Sequence, residues 1–408
     1  MADSKPAVLH AAGSALVSEA SARTRPNLKL IGLLAFGHLI IDVNQGSLSA
    51  ILPFLKNAHG LSYAQAAMIV LMANLTSSVI QPLFGYLSDQ TARRWLLPLS
   101  IAFSGLGVAL TGIAPSYTVI LALVVVTGFG VAAWHPEGYK TATGVAGERK
   151  ATALGWFSLG GNIGVALGAP VITALITTFG IAGTLGMLVP SLLTAAVMLA
   201  ALPRIARVAA APRAARAGAH GVNMPGAMAL LIGVVTIRSW TTLGFSTFVP
   251  FFYIDVLKHD PRLVGPLLFV FLGSSALGSV FAGPVADRWG ARPFVQWALL
   301  AAVPFGVAFM LTDGILRFVM LGLFGAITIG SFSVTVVLAQ AYLPRHAGMA
   351  SGLVVGFAVG TGGVAVTLLG IVADHYGVAS ALWISALMPI AGFAAARFLP
   401  APRGLAAL

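Results

Sequence analysis

With 408 residues, 58% of them hydrophobic and 8% charged, the chain has too little polar surface to cover a soluble globule, so it reads as a polytopic membrane protein. The formal net charge of +12 suggests nucleic acid at first sight, but in such a chain basic residues report topology instead. The sequence has no cysteine, which removes disulfides and thiolate metal sites.

Residues 1–27, rich in Ala and Ser and without an apolar core long enough for a secretory signal, are expected to form a disordered cytoplasmic tail. Charge-poor stretches of about 20 residues then recur, the length a helix needs to cross a hydrocarbon core. Runs such as "VILALVVVTGFGVAA" do not alternate, which excludes a transmembrane barrel. Breaking the runs at charges, prolines and glycines gives twelve spans, near 28–55, 61–86, 95–113, 117–143, 150–178, 183–202, 224–254, 262–285, 293–312, 315–342, 348–372 and 379–399. The expected fold is all-α, with twelve transmembrane helices in two pseudo-symmetric six-helix bundles.

An even number of spans puts both termini on one side. Loops on that side hold Arg93, Arg94, Arg149, Lys150, Arg204, Arg207, Arg213, Arg216, Arg288, Arg292 and Arg345, against Lys56, Lys258, Arg262 and Arg317 on the other. The bias predicts cytoplasmic termini in a plasma membrane, with the bacterial inner membrane as the setting. Residues 203–223, rich in Ala, Arg, Pro and Gly, are predicted to be a cytoplasmic linker between an N-terminal half, 28–202, and a C-terminal half, 224–400, which a short tail, 401–408, follows. The halves repeat. "GYLSDQTARR" from Gly85 and "GPVADRWGAR" from Gly283 share a Gly, an Asp at the fifth position and an Arg at the tenth. Internally repeated six-helix units are an organisation of secondary transporters, whose substrate site lies between two halves that rock against each other.

These features resemble the major facilitator superfamily over everything after the tail. "GYLSDQTARR" is similar to its cytoplasmic signature, with Ala92 where a Gly is usual. The resemblance makes Gly85, Asp89, Arg93 and Arg94, with the second copy at Gly283, Asp287, Arg288 and Arg292, a latch that favours an outward-open state. Three further stretches, "GHLIIDVNQGSLSAILPFL", "WHPEGYKTA" and "ALGWFSLGGNIGVALGAPV", resemble the fosmidomycin-resistance group of proton-driven drug exporters. The last also resembles the glycine-rich antiporter signature, although Gly168-Ala169-Pro170 is one residue longer than its usual Gly-Pro ending. Read from the residues alone, Gly160, Gly164 and Gly168 form a small-residue ridge for close helix packing.

Ionisable groups inside a membrane are candidates for function, because burying them is costly. In the first span His38, Asp42, Gln45 and Ser49 form one polar stripe, with Asp42 about 20 Å along the helix and so near mid-membrane. Arg238, Thr242 and Phe245 share a face of the seventh span at similar depth. A static Asp42–Arg238 ion pair between the halves is the plain alternative to a working site. In the fourth span His135 and Glu137 fall in the inner half, with Lys140 placed to pair with Glu137 or to snorkel to the headgroups. His135 on its own reads as a hydrogen-bonded structural histidine. A carboxylate in a low dielectric can exchange protons near neutral pH, so Asp42 and Glu137, with His38 and His135, are the candidate proton-coupling residues. Arg238, Gln45, Thr242, Phe245, Trp134 and Lys140 are the candidate substrate contacts. Asn74, Ser77, Ser78 and Gln81 read as interhelical hydrogen-bonding residues, and Phe251 to Tyr253 as lipid contacts or interface anchors.

No enzyme constellation and no phosphate-binding Gly-Lys-Ser/Thr loop is present, so neither catalysis, direct ATP drive, a cofactor nor a metal is expected. The expected partners are a small-molecule substrate, protons and lipid, with a functional monomer. The leading expectation is a proton-coupled antiporter exporting a small polar or anionic compound. A proton symporter importing an organic anion and a transport-dead receptor or scaffold stay open beside it.

Overall fold

The computed structural model describes residues 27–91, 93–147, 150–208, 222–358 and 360–402. The expected tail and most of the expected linker lie outside these residues, as does the Asp89 side chain.

Helices begin and end where local chemistry satisfies their free backbone groups. α1 (Leu28–His59) starts at Asn27, whose side chain accepts from the Leu30 N–H, and stops at Gly60 with φ +62°. α2 (Tyr63–Gln90) starts in a capping box formed by Ser62 and Gln65. α3 (Leu96–Leu110), α4 (Tyr117–Val145), α5 (Lys150–Phe179) and α6 (Leu188–Val208) complete the first half. α7 (Pro225–Phe251), α8 (Val264–Trp289) and α9 (Ala291–Leu311) open the second. Its fourth crossing is α10 (Gly314–Gly330) followed by α11 (Phe332–Tyr342), and its sixth is α14 (Val378–Ala396). The fifth is broken: α12 (Ala347–Gly352), a π-turn over Leu353–Ala358 and α13 (Gly362–Tyr376) replace the continuous expected span. Glycines at 352, 356, 360, 362 and 363 explain the break, because each lowers helix propensity. No strand occurs among the described residues.

Both ends of the described chain lie at one end of the bundle. The Asn27 N–H donates to the Val145 carbonyl, the Met224 N–H to the Tyr342 carbonyl, and the Tyr342 hydroxyl to the Pro400 carbonyl. At the opposite, far end the two halves are bolted together. The Asp374 carboxylate accepts from the Tyr63 and Ala64 N–H groups at 2.7 and 3.0 Å, capping α2 from the other half. Asp255 accepts from the Tyr63 hydroxyl at 2.8 Å and pairs with Lys56 at 3.5 Å. Inter-half packing continues inward through Pro170 and Thr173 against Gly265, and Leu71 against Gly363. Towards the terminal end the halves part: Gly155, Gly283 and Gly352 have nothing within 4 Å of a Cβ position, and Leu83, Tyr86 and Phe281 are exposed. The molecule is closed at its far end and open at its terminal end.

Inside the first half, α1 and α5 approach backbone to backbone. A Cβ at Gly160, Gly164 or Gly168 would overlap the carbonyls of Ala35, Leu39 or Val43, and one at Gly46 that of Val165. The expected ridge is therefore the face against α1. The second half packs around rings instead, with Phe245 4.2 Å from Phe324, 5.7 Å from Phe309 and 6.0 Å from Phe271. Phe251, Phe252 and Tyr253 are buried rather than facing lipid, and Phe251 meets Tyr63 of the first half edge-on at 5.2 Å.

Candidate functional site

The polar stripe of α1 divides between two places. Its first part, His38 and Asp42, turns into the first half against α4 and α5. The second, Gln45 and Ser49, faces a cavity between the halves.

In the first place, the His38 Nδ1–H donates to the Phe157 carbonyl at 2.8 Å and the imidazole stacks on the Phe157 ring at 4.2 Å. With Nδ1 committed as donor, Nε2 of the neutral ring carries a lone pair, and it lies 3.3 Å from Asp42 Oδ2. A bare carboxylate and a lone pair repel, so the contact is favourable when one proton sits on the pair. His135 repeats the arrangement: its Nδ1–H donates to the Val131 carbonyl at 2.9 Å and its Nε2 lies 3.9 Å from Asp42 Oδ1. Asp42 Oδ1 is buried without a hydrogen bond. His38 and Asp42 are buried, while the His135 side chain keeps 19% exposure and Tyr139 keeps 40%. The cluster thus has a route outward past α4.

Three donor atoms of this cluster lie within 4.8 Å of one another, a spacing that could also grip a divalent metal ion. The 3.3 Å separation of Nε2 and Oδ2 is also that of a hydrogen bond closed by one shared proton. A Cβ at Gly161 would stand 2.6 Å from His38 Nε2 and 2.7 Å from Asp42 Oδ2, so the α5 backbone presses on the pair.

The second place is a cavity of about 130 Å³ whose walls include Gln45, Ser49, Asn74 and Ser77 from the first half and Leu243, Ser246 and Leu272 from the second. Asn74 donates to the Val70 carbonyl and Ser77 to the Asn74 carbonyl, both on their own helix. The interhelical role expected of these two is therefore corrected. Their remaining hydrogen-bonding capacity faces the cavity, where Gln45 and Ser49 make no hydrogen bond among the described residues. Charged residues are absent from the described lining.

The other expected residues take separate positions. Glu137 is 1% exposed and accepts from the Ser88 hydroxyl at 2.6 Å, the Arg93 N–H at 3.2 Å and the Thr141 hydroxyl at 3.4 Å. These partners belong to α4, α2 and the loop after α2, and none to the His38–Asp42–His135 cluster. Lys140 Nζ donates to the Ser88 carbonyl, so it grips the last turn of α2 instead of snorkelling or pairing with Glu137. Trp134 is wholly buried, stacked on Phe157 and against Gly37. Arg238 is buried, donates Nη1 to the Thr328 carbonyl at 3.1 Å and lies over the Phe332 ring at 4.7 Å. The Asp42–Arg238 pair is thus absent among the described residues. Thr242 bonds the Arg238 carbonyl, and Phe245 belongs to the ring core.

Of the latch residues, Gly85 lies beside Pro136, Arg94 Nη1 donates to the Ala206 carbonyl, and Arg93 is engaged through its backbone. Asp287 and Arg288 are exposed without an ion pair among the described residues, and Arg292 is half-buried. Sequence reasoning missed the Phe157 carbonyl, Gly161 and the far-end carboxylates. A backbone acceptor leaves no trace in side-chain type, but Asp255 and Asp374 stand out as two of only 11 acidic residues.

Comparison with known proteins agrees with this architecture. The fosmidomycin resistance protein of Escherichia coli is 30% identical over 377 residues, covering 91% of this chain and 92% of that protein. An uncharacterized MFS-type transporter of Bacillus subtilis is 32% identical over 383 residues, with the same coverage of 91% and 92%. The crystal structure of a bacterial homolog of the human lysosomal transporter Spinster, inward-facing and occupied, superposes with a TM-score of 0.74 at 14% identity, over 91% of this chain and 96% of that one. The Major Facilitator Superfamily model matches residues 34–363, and the chain is a transporter belonging to that family.

Proposed function

We propose that this transporter is a proton-coupled antiporter that exports a small polar or anionic compound, with the His38–Asp42 pair as its proton site. The observation that carries the reading is the 3.3 Å contact between an imidazole nitrogen stripped of its hydrogen and a buried carboxylate oxygen. A single proton on the pair turns that contact into a hydrogen bond. His135, partly exposed and 3.9 Å from the other carboxylate oxygen, serves as its relay.

Arginines concentrated at the terminal end support reading that end as cytoplasmic in a bacterial inner membrane. On that reading the structure is inward-facing, and the exposed Asp287 and Arg288 fit a released latch. In this state the pair gives up its proton past His135 and Tyr139 while the cavity between Gln45, Asn74, Ser77 and Ser246 takes substrate from the cytoplasm. After the far end opens, the proton gradient refills the pair from outside and substrate leaves. Glu137 and Lys140, which hold the end of α2 and the loop after it, link α4 to the latch. The similarity to a fosmidomycin resistance protein supports export and makes phosphonates the first compounds to try.

The test is exchange in proteoliposomes under an imposed pH gradient, with fosmidomycin and a panel of anionic and zwitterionic compounds. Gradient-driven movement against substrate concentration, lost in Asp42→Asn, is expected. Accumulation in the direction of the proton flow would assign a symporter instead.

A further inference from the structure

We propose that Gly161 is a positioning residue for the proton on the His38–Asp42 pair: its bare Cα is the dry lid that holds the two side chains together, so proton loss depends on where α5 sits. The inference rests on the proton reading above and adds the element that couples it to movement.

Four observations converge on this position. The side of Gly161 where other residues carry a side chain faces polar atoms, with its Cβ position 2.6 Å from His38 Nε2, 2.7 Å from His38 Cε1 and 2.7 Å from Asp42 Oδ2. Its neighbours in the ridge do not do this: Gly160 meets only the backbone of Ala35, and Gly164 meets Leu39 backbone and Asp42 Cβ. One turn before Gly161, the Phe157 carbonyl takes the His38 Nδ1–H at 2.8 Å. Helix geometry directs the Gly161 N–H at that same carbonyl, so a single turn of α5 grips the imidazole from two sides. Finally, α5 is the helix of the first half that packs most closely against α8 of the second, through Pro170 and Thr173 against Gly265 and Ala166 against Gly273. When the far end opens that contact must change, so the position of Gly161 over the pair differs between the state that releases the proton and the state that takes it up.

The groups that face the pair are few. α1 supplies only His38 and Asp42 themselves. α4 supplies His135 and Tyr139, whose ring centroid lies 6.1 Å from that of His38 and whose hydroxyl is bonded to Ser158 of α5. α5 supplies the Phe157 carbonyl. Among the described residues no lysine, arginine or glutamate forms an ion pair with the cluster. Lid position is therefore the main variable available to change how tightly the proton is held.

A methyl group at 161 meets the ends of two side chains, which can yield, whereas one at 160 meets backbone, which cannot. This separates a positioning role from packing. The full chain in lipid nanodiscs is titrated with pH while the carboxylic-acid infrared band of Asp42, identified by its loss in Asp42→Asn, is followed. Thermal unfolding is measured in parallel. Gly161→Ala is expected to move the midpoint of that band by roughly one pH unit or more with little change in unfolding temperature. Gly160→Ala is expected to lower the unfolding temperature and leave the midpoint in place. An unmoved midpoint in Gly161→Ala, or equal shifts in both variants, overturns the lid. Absence of any Asp42-dependent band overturns the proton reading and the lid with it. Should Gly161→Ala not fold, the unaltered protein decides: a band at the frequency of a non-hydrated acid supports the dry lid, and one at the frequency of a hydrated acid overturns it.

Discussion

The first half places His38, Asp42 and His135 where α1, α4 and α5 meet, while the second half packs its interior with Phe245, Phe271, Phe309 and Phe324. The repeat offset, Asp287 minus Asp89 or 198 residues, carries the three polar residues to Thr236, Trp240 and Ser333, none of them ionisable. A six-helix unit of this kind therefore folds without the cluster. Intramembrane histidine and aspartate cost stability, and the sister half shows that packing does not demand them. A buried cation of that half, Arg238, is held by a carbonyl and a ring instead of an acid.

The sharpest way to break this comparison is to give the first half the neutrality of the second. Asp42→Asn should fold normally and lose gradient-driven exchange by about 100-fold or more, the usual consequence of removing an essential proton-transfer group, as measured by flux in proteoliposomes. The converse change strikes the ring core. Phe245→Ala should cost about 3–5 kcal/mol of stability, read by thermal or denaturant unfolding, while the coupling of the surviving protein to protons is unchanged.

A third change acts where the halves join. Asp374→Asn removes the charged cap on the Tyr63 and Ala64 N–H groups, a bond type worth about 1.5–3 kcal/mol. Distances between spin labels at the far ends should shift by roughly tenfold in population towards the open form. Unchanged populations would show that apolar contact alone closes that end. The smallest effect belongs to the cavity: Gln45→Leu should raise KM for a transported compound by about tenfold through one lost hydrogen bond, leaving kcat and pH dependence nearly as they were.

The fold was legible in sequence because membranes enforce simple rules: length and hydropathy place the spans, and the Gly85 and Gly283 motifs reveal the repeat. Helical spacing aligned His38 with Asp42 and Gln45 but could not show that the helix presents the first two to α4 and α5 and the third to the other half. Glu137 and His135, two residues apart, looked like one unit, yet a helix turns by about 200° over that interval, and they serve different neighbours. The break in the fifth crossing of the second half was not read from the sequence, which suggested one continuous span over 348–372, although its glycines account for it. The far-end clamp was not legible either, because Tyr63 and Asp374 come together through the docking of two bundles.

The account's central claim is that the His38–Asp42 pair holds one exchangeable proton. The direct measurement is proton uptake by the purified full chain in nanodiscs as pH is lowered, compared with Asp42→Asn under identical conditions and without substrate. The unaltered protein should take up one proton more than the variant. Equal uptake by the two would contradict the claim.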